Sequence, residues 1–148
     1  MMDTLTESGF AQYEISNYAR PGCESQHNGA YWLGADYLGF GPGAFSTVGP
    51  SRWENIRDTA GYTQRMSAGE GVRGFCEELS SRTRAGEIAA FRIRTSEGVP
   101  RPELSPWADA VVDFERIGLL EEHGGALRLT RRGKLLADSV AEAFVAPV

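Results

Sequence analysis

Apolar residues recur at Trp107, Val111, Phe114 and Ile117, at spacings of four, three and three, which makes one helix face apolar. Ser105-Pro106 in front of this stripe predicts the helix start, with Ser as N-cap and Pro at the first helical position. Gly118 behind it predicts the stop. Leu119–His123 and Ala126–Thr130 then flank Gly124-Gly125, the signal of a two-residue hairpin turn. Thr130 is placed to cap a last helix, in which Leu136, Val140 and Phe144 repeat every four residues. Upstream, residues 77–95 carry Leu79, Ile88, Phe91 and Ile93 among charges and predict another helix.

The N-terminal part follows a different rhythm. Ala11–Tyr18 alternates around Tyr13 and Ile15, with Glu14 and Ser16 between them, and predicts a strand that Ala19-Arg20-Pro21-Gly22 breaks. Residues 37–47 predict a second strand running into a glycine-rich bend. Gly39, Gly41 and Gly43 at alternate positions leave one strand face bare, so a packing partner or a ligand can approach the backbone there. Asp58–Met66 predicts a helix with Asp58 as N-cap. Ser67-Ala68-Gly69-Glu70-Gly71 reads as a loop. Ten of the fifteen aromatics lie in residues 1–62, and the later residues are richer in charge. This shift predicts an α/β chain of two regions, residues 1–66 and residues 67–148. The helix, hairpin, helix order near the end looks like part of a winged-helix unit.

Charge bears on that last point, because winged helices often bind nucleic acid. Residues 67–148 hold 13 acidic and 11 basic side chains, and only Arg128, Arg131, Arg132 and Lys134 cluster. The whole chain has a net charge of −5. Such a balance disfavours broad binding to nucleic acid or to an anionic membrane. No apolar stretch is long enough to span a bilayer, and the N-terminus does not have the pattern of a secretory signal. Cys23 and Cys76, far apart in sequence, form neither a disulfide framework nor a C-x-x-C site. A reducing cytoplasm is the expected setting.

The densest chemical signal surrounds His27, one of two histidines. It precedes Tyr31 by four residues and Trp32 by five. In a helix, His27 and Tyr31 share a face. Two readings are open on spacing alone. The imidazole ligates a flat iron macrocycle against which the rings pack, or it hydrogen-bonds to backbone inside an aromatic cluster. Cys23, four residues before His27, is either a second soft ligand or an ordinary small residue. Glu14 is either a buried hydrogen-bonded carboxylate or a cofactor contact.

Three strings taken together are specific: YEISNYARPG over 13–22, HN-x-x-YW over 27–32, and YLGFGPGA-x-S over 37–46, followed by Arg52 and Asn55. They resemble the C-terminal half of the oxygen-independent coproporphyrinogen III oxidase-like radical-SAM family. HN-x-x-YW resembles its heme-chaperone branch (HemW); the true coproporphyrinogen dehydrogenases differ at this place. The resemblance extends through Leu119, Leu129-Thr130, Gly133, Leu135 and Asp138, so it covers essentially the whole chain.

The resemblance implies a fold and a set of site residues. Residues 1–66 would supply the last strands and helices of a partial (β/α) barrel. Residues 67–148 would form a mainly helical, winged-helix-like C-terminal domain with a small hairpin. His27 matches the family's heme-binding histidine, with Asn28, Tyr31 and Trp32 as motif neighbours. Gly41, Gly43, Ala44 and Phe45 match a strand end near S-adenosylmethionine, and Phe45 departs from the His that many relatives carry. The family's 4Fe–4S cluster sits on a C-x-x-x-C-x-x-C motif that this chain does not contain. The resemblance therefore implies the C-terminal piece of a longer protein, without a complete catalytic site of its own. The implied partners are heme or porphyrin and heme-accepting proteins, with self-association through an exposed barrel edge. The enzymatic alternative is oxidative decarboxylation of coproporphyrinogen III by the longer parent. A nucleic-acid module is the third, which the charge balance disfavours.

Overall fold

Asp58, Gly118, Gly124-Gly125 and Thr130 mark element ends, as read from the sequence, in the computed structural model, which describes residues 2–145. The chain divides into two compact units, Met1–Gly34 with Ala85–Val148, and Ala35–Arg84. These bounds differ from the expected 1–66 and 67–148, and the aromatic-to-charged shift near 67–74 falls inside the second unit. Among the described residues, no helix is long and apolar enough to cross a membrane.

The first unit begins with helix α1 (Met2–Glu7) and two short strands, β1 (Ala11–Gln12) and β2 (Tyr18–Ala19), paired antiparallel. The single strand expected over Ala11–Tyr18 is therefore a tight hairpin. Glu14 causes the reversal: its Oε1 accepts from the Ser16 N–H at 3.0 Å, while the Tyr13 N–H donates to the Asn17 carbonyl. A local side-chain bond of this kind competes with an extended ladder. Helix α2 (Gln26–Trp32) follows.

The later part of this unit holds its core. Ile93, Val99, Leu104, Val111, Leu127, Val140 and Phe144 are all at most 3% exposed. A three-stranded antiparallel sheet, β6 (Val99–Pro100), β8 (Ala126–Leu129) and β7 (Leu120–His123), in that spatial order, forms one wall. The Gly124-Gly125 turn is as expected, with φ of 60° and 83°, the geometry of a type I′ turn. Helix α5 (Ala108–Arg116) ends in a Schellman motif: Leu119 N–H reaches the Phe114 carbonyl, and Gly118, at φ 72°, donates to Glu115.

Three expectations need correction here. Ser105-Pro106 does not start α5, because it lies inside a 3₁₀ helix, Arg101–Trp107, with no side-chain cap. Leu104 and Trp107, three apart and both buried, suit that tighter period. The helix expected over 77–95 is confined to α4 (Ser81–Arg92). The last helix is two, α6 (Arg131–Leu135) and α7 (Ala137–Val145), with Leu136 43% exposed between them. Thr130 does cap α6, its Oγ1 accepting from Gly133 N–H at 3.0 Å. Two backbone approaches need glycine. A Cβ at Gly86 would lie 2.3 Å from the Phe144 carbonyl oxygen, and one at Gly133 would lie 2.0 Å from that of Leu119.

The second unit is an antiparallel meander, β3 (Phe45–Val48), β4 (Ser51–Asn55) and β5 (Arg73–Glu78), with helix α3 (Thr59–Ser67) between β4 and β5. Asp58 caps α3 as expected, Oδ2 accepting from Gly61 N–H at 2.6 Å. Trp53 is buried, and the Arg73 guanidinium covers its ring at 3.9 Å. Residues 77–78, expected as helix, end β5. Every strand pairing among the described residues is antiparallel, so the parallel pairs of a (β/α) barrel do not occur among them. Strand order within 37–47 is also shifted: Tyr37 makes only an isolated bridge to Thr47, and the regular strand begins at Phe45.

Candidate functional site

Helix α2 is short, and its ends are specified by neighbours. Ser25 caps it, Oγ accepting from the Asn28 N–H at 3.2 Å. Gly34 ends it at φ 75°, where a Cβ would lie 2.6 Å from Ile88 Cγ1. Asn28, Gly29 and Trp32 are half-buried on one side, and His27, Ala30 and Tyr31 are exposed on the other. The expected sharing of a face by His27 and Tyr31 therefore holds, one helical turn apart. The exposed His27 imidazole has no hydrogen bond to any described residue, so the reading of a backbone-bonded core histidine does not apply.

Rings hold this helix in place. Tyr31 and Trp32 meet edge to face at 5.8 Å, and Phe91 of α4 lies 5.3 Å from Tyr31 and 6.0 Å from Trp32. Phe91 is the member that the sequence reading placed only in a helix. Its signal was weak, because a contact across sixty residues of chain leaves no local pattern. A cleft of about 260 Å³ borders the half-buried side of α2, lined by Ser25, Gly29 and Trp32 with Tyr13, Thr95 and Ser96. His27 and Tyr31 do not line it. Cys23 is exposed in the turn before α2.

Glu14 is 2% exposed, so the buried reading holds. One oxygen accepts from Ser16, and the other has no partner among the described residues. Its backbone bridges to Thr95.

The glycine segment belongs to the second unit. Gly41 and Gly43 sit at φ 100° and 70°, which explains why glycine occupies both. At Gly39 the reason is space: a Cβ would lie 2.2 Å from the Phe45 carbonyl oxygen. The backbone donors here are committed internally. Gly39 N–H donates to Ser46 Oγ, Gly41 to Tyr62 Oη, Gly43 to the Ile56 carbonyl, and Ala44 to the Gly41 carbonyl. Asn55, 5% exposed, donates from Nδ2 to the Gly39 and Gly41 carbonyls at 3.3 and 2.9 Å. A ligand meeting this backbone would find close approach at Gly41, where no atom lies within 4 Å of a Cβ position, but no free donor among these four. Phe45 is 41% exposed, and Phe40 is 86% exposed. Asn55 and Tyr62 are the supporting residues that local patterns did not single out as structural anchors.

Chemically, the exposed imidazole of His27 is a lone-pair donor with an aromatic neighbour, which suits a flat metallomacrocycle. An iron–sulfur cluster does not fit the side chains present. Four-iron clusters need three or four thiolates, and the chain has Cys23 and Cys76. Among the described residues, no three His, Cys, Asp or Glu side chains group as metal ligands.

Comparison with known proteins follows the same lines. Residues 79–136 match the family model of the HemN C-terminal domain. The chain is 38% identical, over 95% of its length, to the heme chaperone HemW of Mycobacterium tuberculosis (strain ATCC 25618 / H37Rv), and covers 36% of that protein. It is 31% identical to the heme chaperone HemW of Escherichia coli (strain K12), covering 96% of this chain and 40% of that one. It is also 31% identical to the mitochondrial radical S-adenosyl methionine domain-containing protein 1 of Bos taurus, covering 92% of this chain and 35% of that one. Among solved structures, the coproporphyrinogen III oxidase HemN of Escherichia coli, described as a radical SAM enzyme, superposes with a TM-score of 0.68 at 16% identity. That match covers 98% of this chain and 39% of that one, and shows the fold. The chain thus spans little more than a third of the curated relatives it matches.

Proposed function

We propose that this chain, whose residues 79–136 match the HemN C-terminal domain model, supplies the heme-holding surface of a HemW-type heme chaperone. The single observation that carries this reading is the exposed His27 imidazole, free of hydrogen bonds to described residues, one turn before the exposed Tyr31 ring. The His27 imidazole would hold heme by donating a ring-nitrogen lone pair to its iron. Tyr31 would pack on the macrocycle, while Trp32 and Phe91 keep α2 from turning away. Asn28, half-buried beside them, would hold the motif's backbone path. Release to an acceptor protein would be favoured by the openness of this face.

The finer features of the architecture belong to the same proposal. Helices α5, α6 and α7 and the β7-β8 hairpin would act as a winged-helix-like cover. The segment from Gly41 to Phe45 would border S-adenosylmethionine in a longer protein, by shape rather than by hydrogen bonds. The setting would be cytoplasmic.

The test is a heme titration of the 148-residue chain followed by absorbance. Saturable binding with a shifted Soret band is expected. His27→Ala should weaken it by about tenfold or more and alter the band, since a lost coordinate bond is worth at least a strong hydrogen bond. Unchanged affinity and spectrum in His27→Ala would remove the ligand assignment. The fold match to a coproporphyrinogen III oxidase motivates the second reading, in which a longer parent decarboxylates coproporphyrinogen III. Activity of a cluster-containing parent on that substrate distinguishes the two.

A further inference from the structure

The four clustered cations of the sequence are not equivalent in the structure. Arg132 donates to the Ile117 carbonyl at 3.1 Å and stands apart from the other three. Arg128 of β8, Arg131 at the start of α6 and Lys134 one turn later line a cleft of about 380 Å³ within the first unit. Asp3, Glu121, Gln12, Tyr18 and Ser96 are among its other polar lining residues.

Two of these cations have carboxylate partners. Arg131 grips Asp3 with both terminal nitrogens, at 2.7 and 2.9 Å, and Arg128 Nε meets Glu121 at 2.9 Å. Lys134 has none. Its Nζ donates at 2.8 Å to the neutral Gln12 side-chain oxygen. An ammonium carries three donors, so two remain uncommitted to described residues. Among the described residues three cations therefore face two carboxylates, and the surplus charge sits on a half-buried amine. Burial, followed by repulsion from Arg128, holds the Lys134 amine below its ordinary value, and Glu121 opposes this only in part. Partial burial of an undercompensated cation is unfavourable unless something negative completes it.

We infer that this cleft is a binding site for one oxyanion group, a phosphate or a carboxylate, received by the Lys134 ammonium with Arg128 and Arg131 as its charged walls. The Arg131–Asp3 pair fixes the guanidinium, and the Tyr18 and Ser96 hydroxyls give the cleft neutral donors. The site lies on different residues from the His27 face and does not depend on heme binding.

The test titrates the 148-residue chain with inorganic phosphate, and separately with acetate, at constant ionic strength. Amide chemical shifts locate the binding. Saturable shifts centred on Gln12, Gly133 and Lys134 are expected with at least one probe, and the probe that saturates tells phosphate from carboxylate. Lys134→Gln should weaken it by about tenfold or more. Arg132→Gln should leave it unchanged. Shifts that grow without saturating, that map elsewhere, or that persist in Lys134→Gln would each overturn the site. If Lys134→Gln does not fold, the wild-type shift map alone decides.

Discussion

Asn55 donates its side-chain amide to the Gly41 carbonyl at 2.9 Å, and so ties the glycine bend to the middle strand of its sheet. The same nitrogen reaches the Gly39 carbonyl at 3.3 Å. A buried amide bridging two loop carbonyls replaces the ladder that glycines at 39, 41 and 43 cannot form well.

Replacing Asn55 by Leu should cost about 1–3 kcal/mol, because it leaves both carbonyls without this donor. Denaturant unfolding measures the loss. Hydrogen exchange at the Gly41 amide should speed up more than at Leu127 in the other unit's core. Equal protection of Gly41 in both proteins would contradict the anchoring role.

Gly133→Ala should destabilise the chain by about 1–3 kcal/mol, toward the upper end of the overpacking range. The added methyl meets the Leu119 backbone oxygen at 2.0 Å, and no side-chain rotation relieves a backbone contact. Gly124→Ala has open space instead, and only its positive φ to strain. A larger fall in melting temperature for Gly133→Ala than for Gly124→Ala checks the argument.

The Arg131–Asp3 pair predicts a pH dependence. Hydrogen bonding to Arg131, then its charge, holds the Asp3 carboxyl below the usual carboxylate range. A depressed folded value means that the unfolded chain binds the proton more readily. The pair's contribution is therefore present above about pH 4 and lost as pH falls through the folded value. Both groups are exposed, so the effect is small and screened by salt. A carboxyl carbon titration should give Asp3 a midpoint below that of a model aspartate, and Arg131→Gln should abolish the difference.

Local chemistry was legible in the sequence, and distant partners were not. Asp58, Thr130, Gly118 and Gly124-Gly125 act through residues three or four away, so their patterns predicted caps, a stop and a turn that the structure contains. Ala11–Tyr18 misled because its alternation ignored what the Glu14 carboxylate does to its own backbone. Ser105-Pro106 carried a helix-start pattern, but burial of Leu104 and Trp107 imposed a tighter coil through it. At the candidate site, the His27 and Tyr31 spacing was readable because a helix repeats locally. Phe91 was not, since only folding brings it to Tyr31.

The first unit is assembled from two stretches of chain interrupted by the whole of the second. During translation, residues 35–84 can complete their meander as soon as they leave the ribosome. The opening segment must wait: Asp3 and Arg131 are 128 positions apart. Until residues 85–145 emerge, α1, the β1-β2 hairpin and the ring-bearing helix have no core to dock on. The face proposed to hold heme would thus mature only after the interrupting unit has been made.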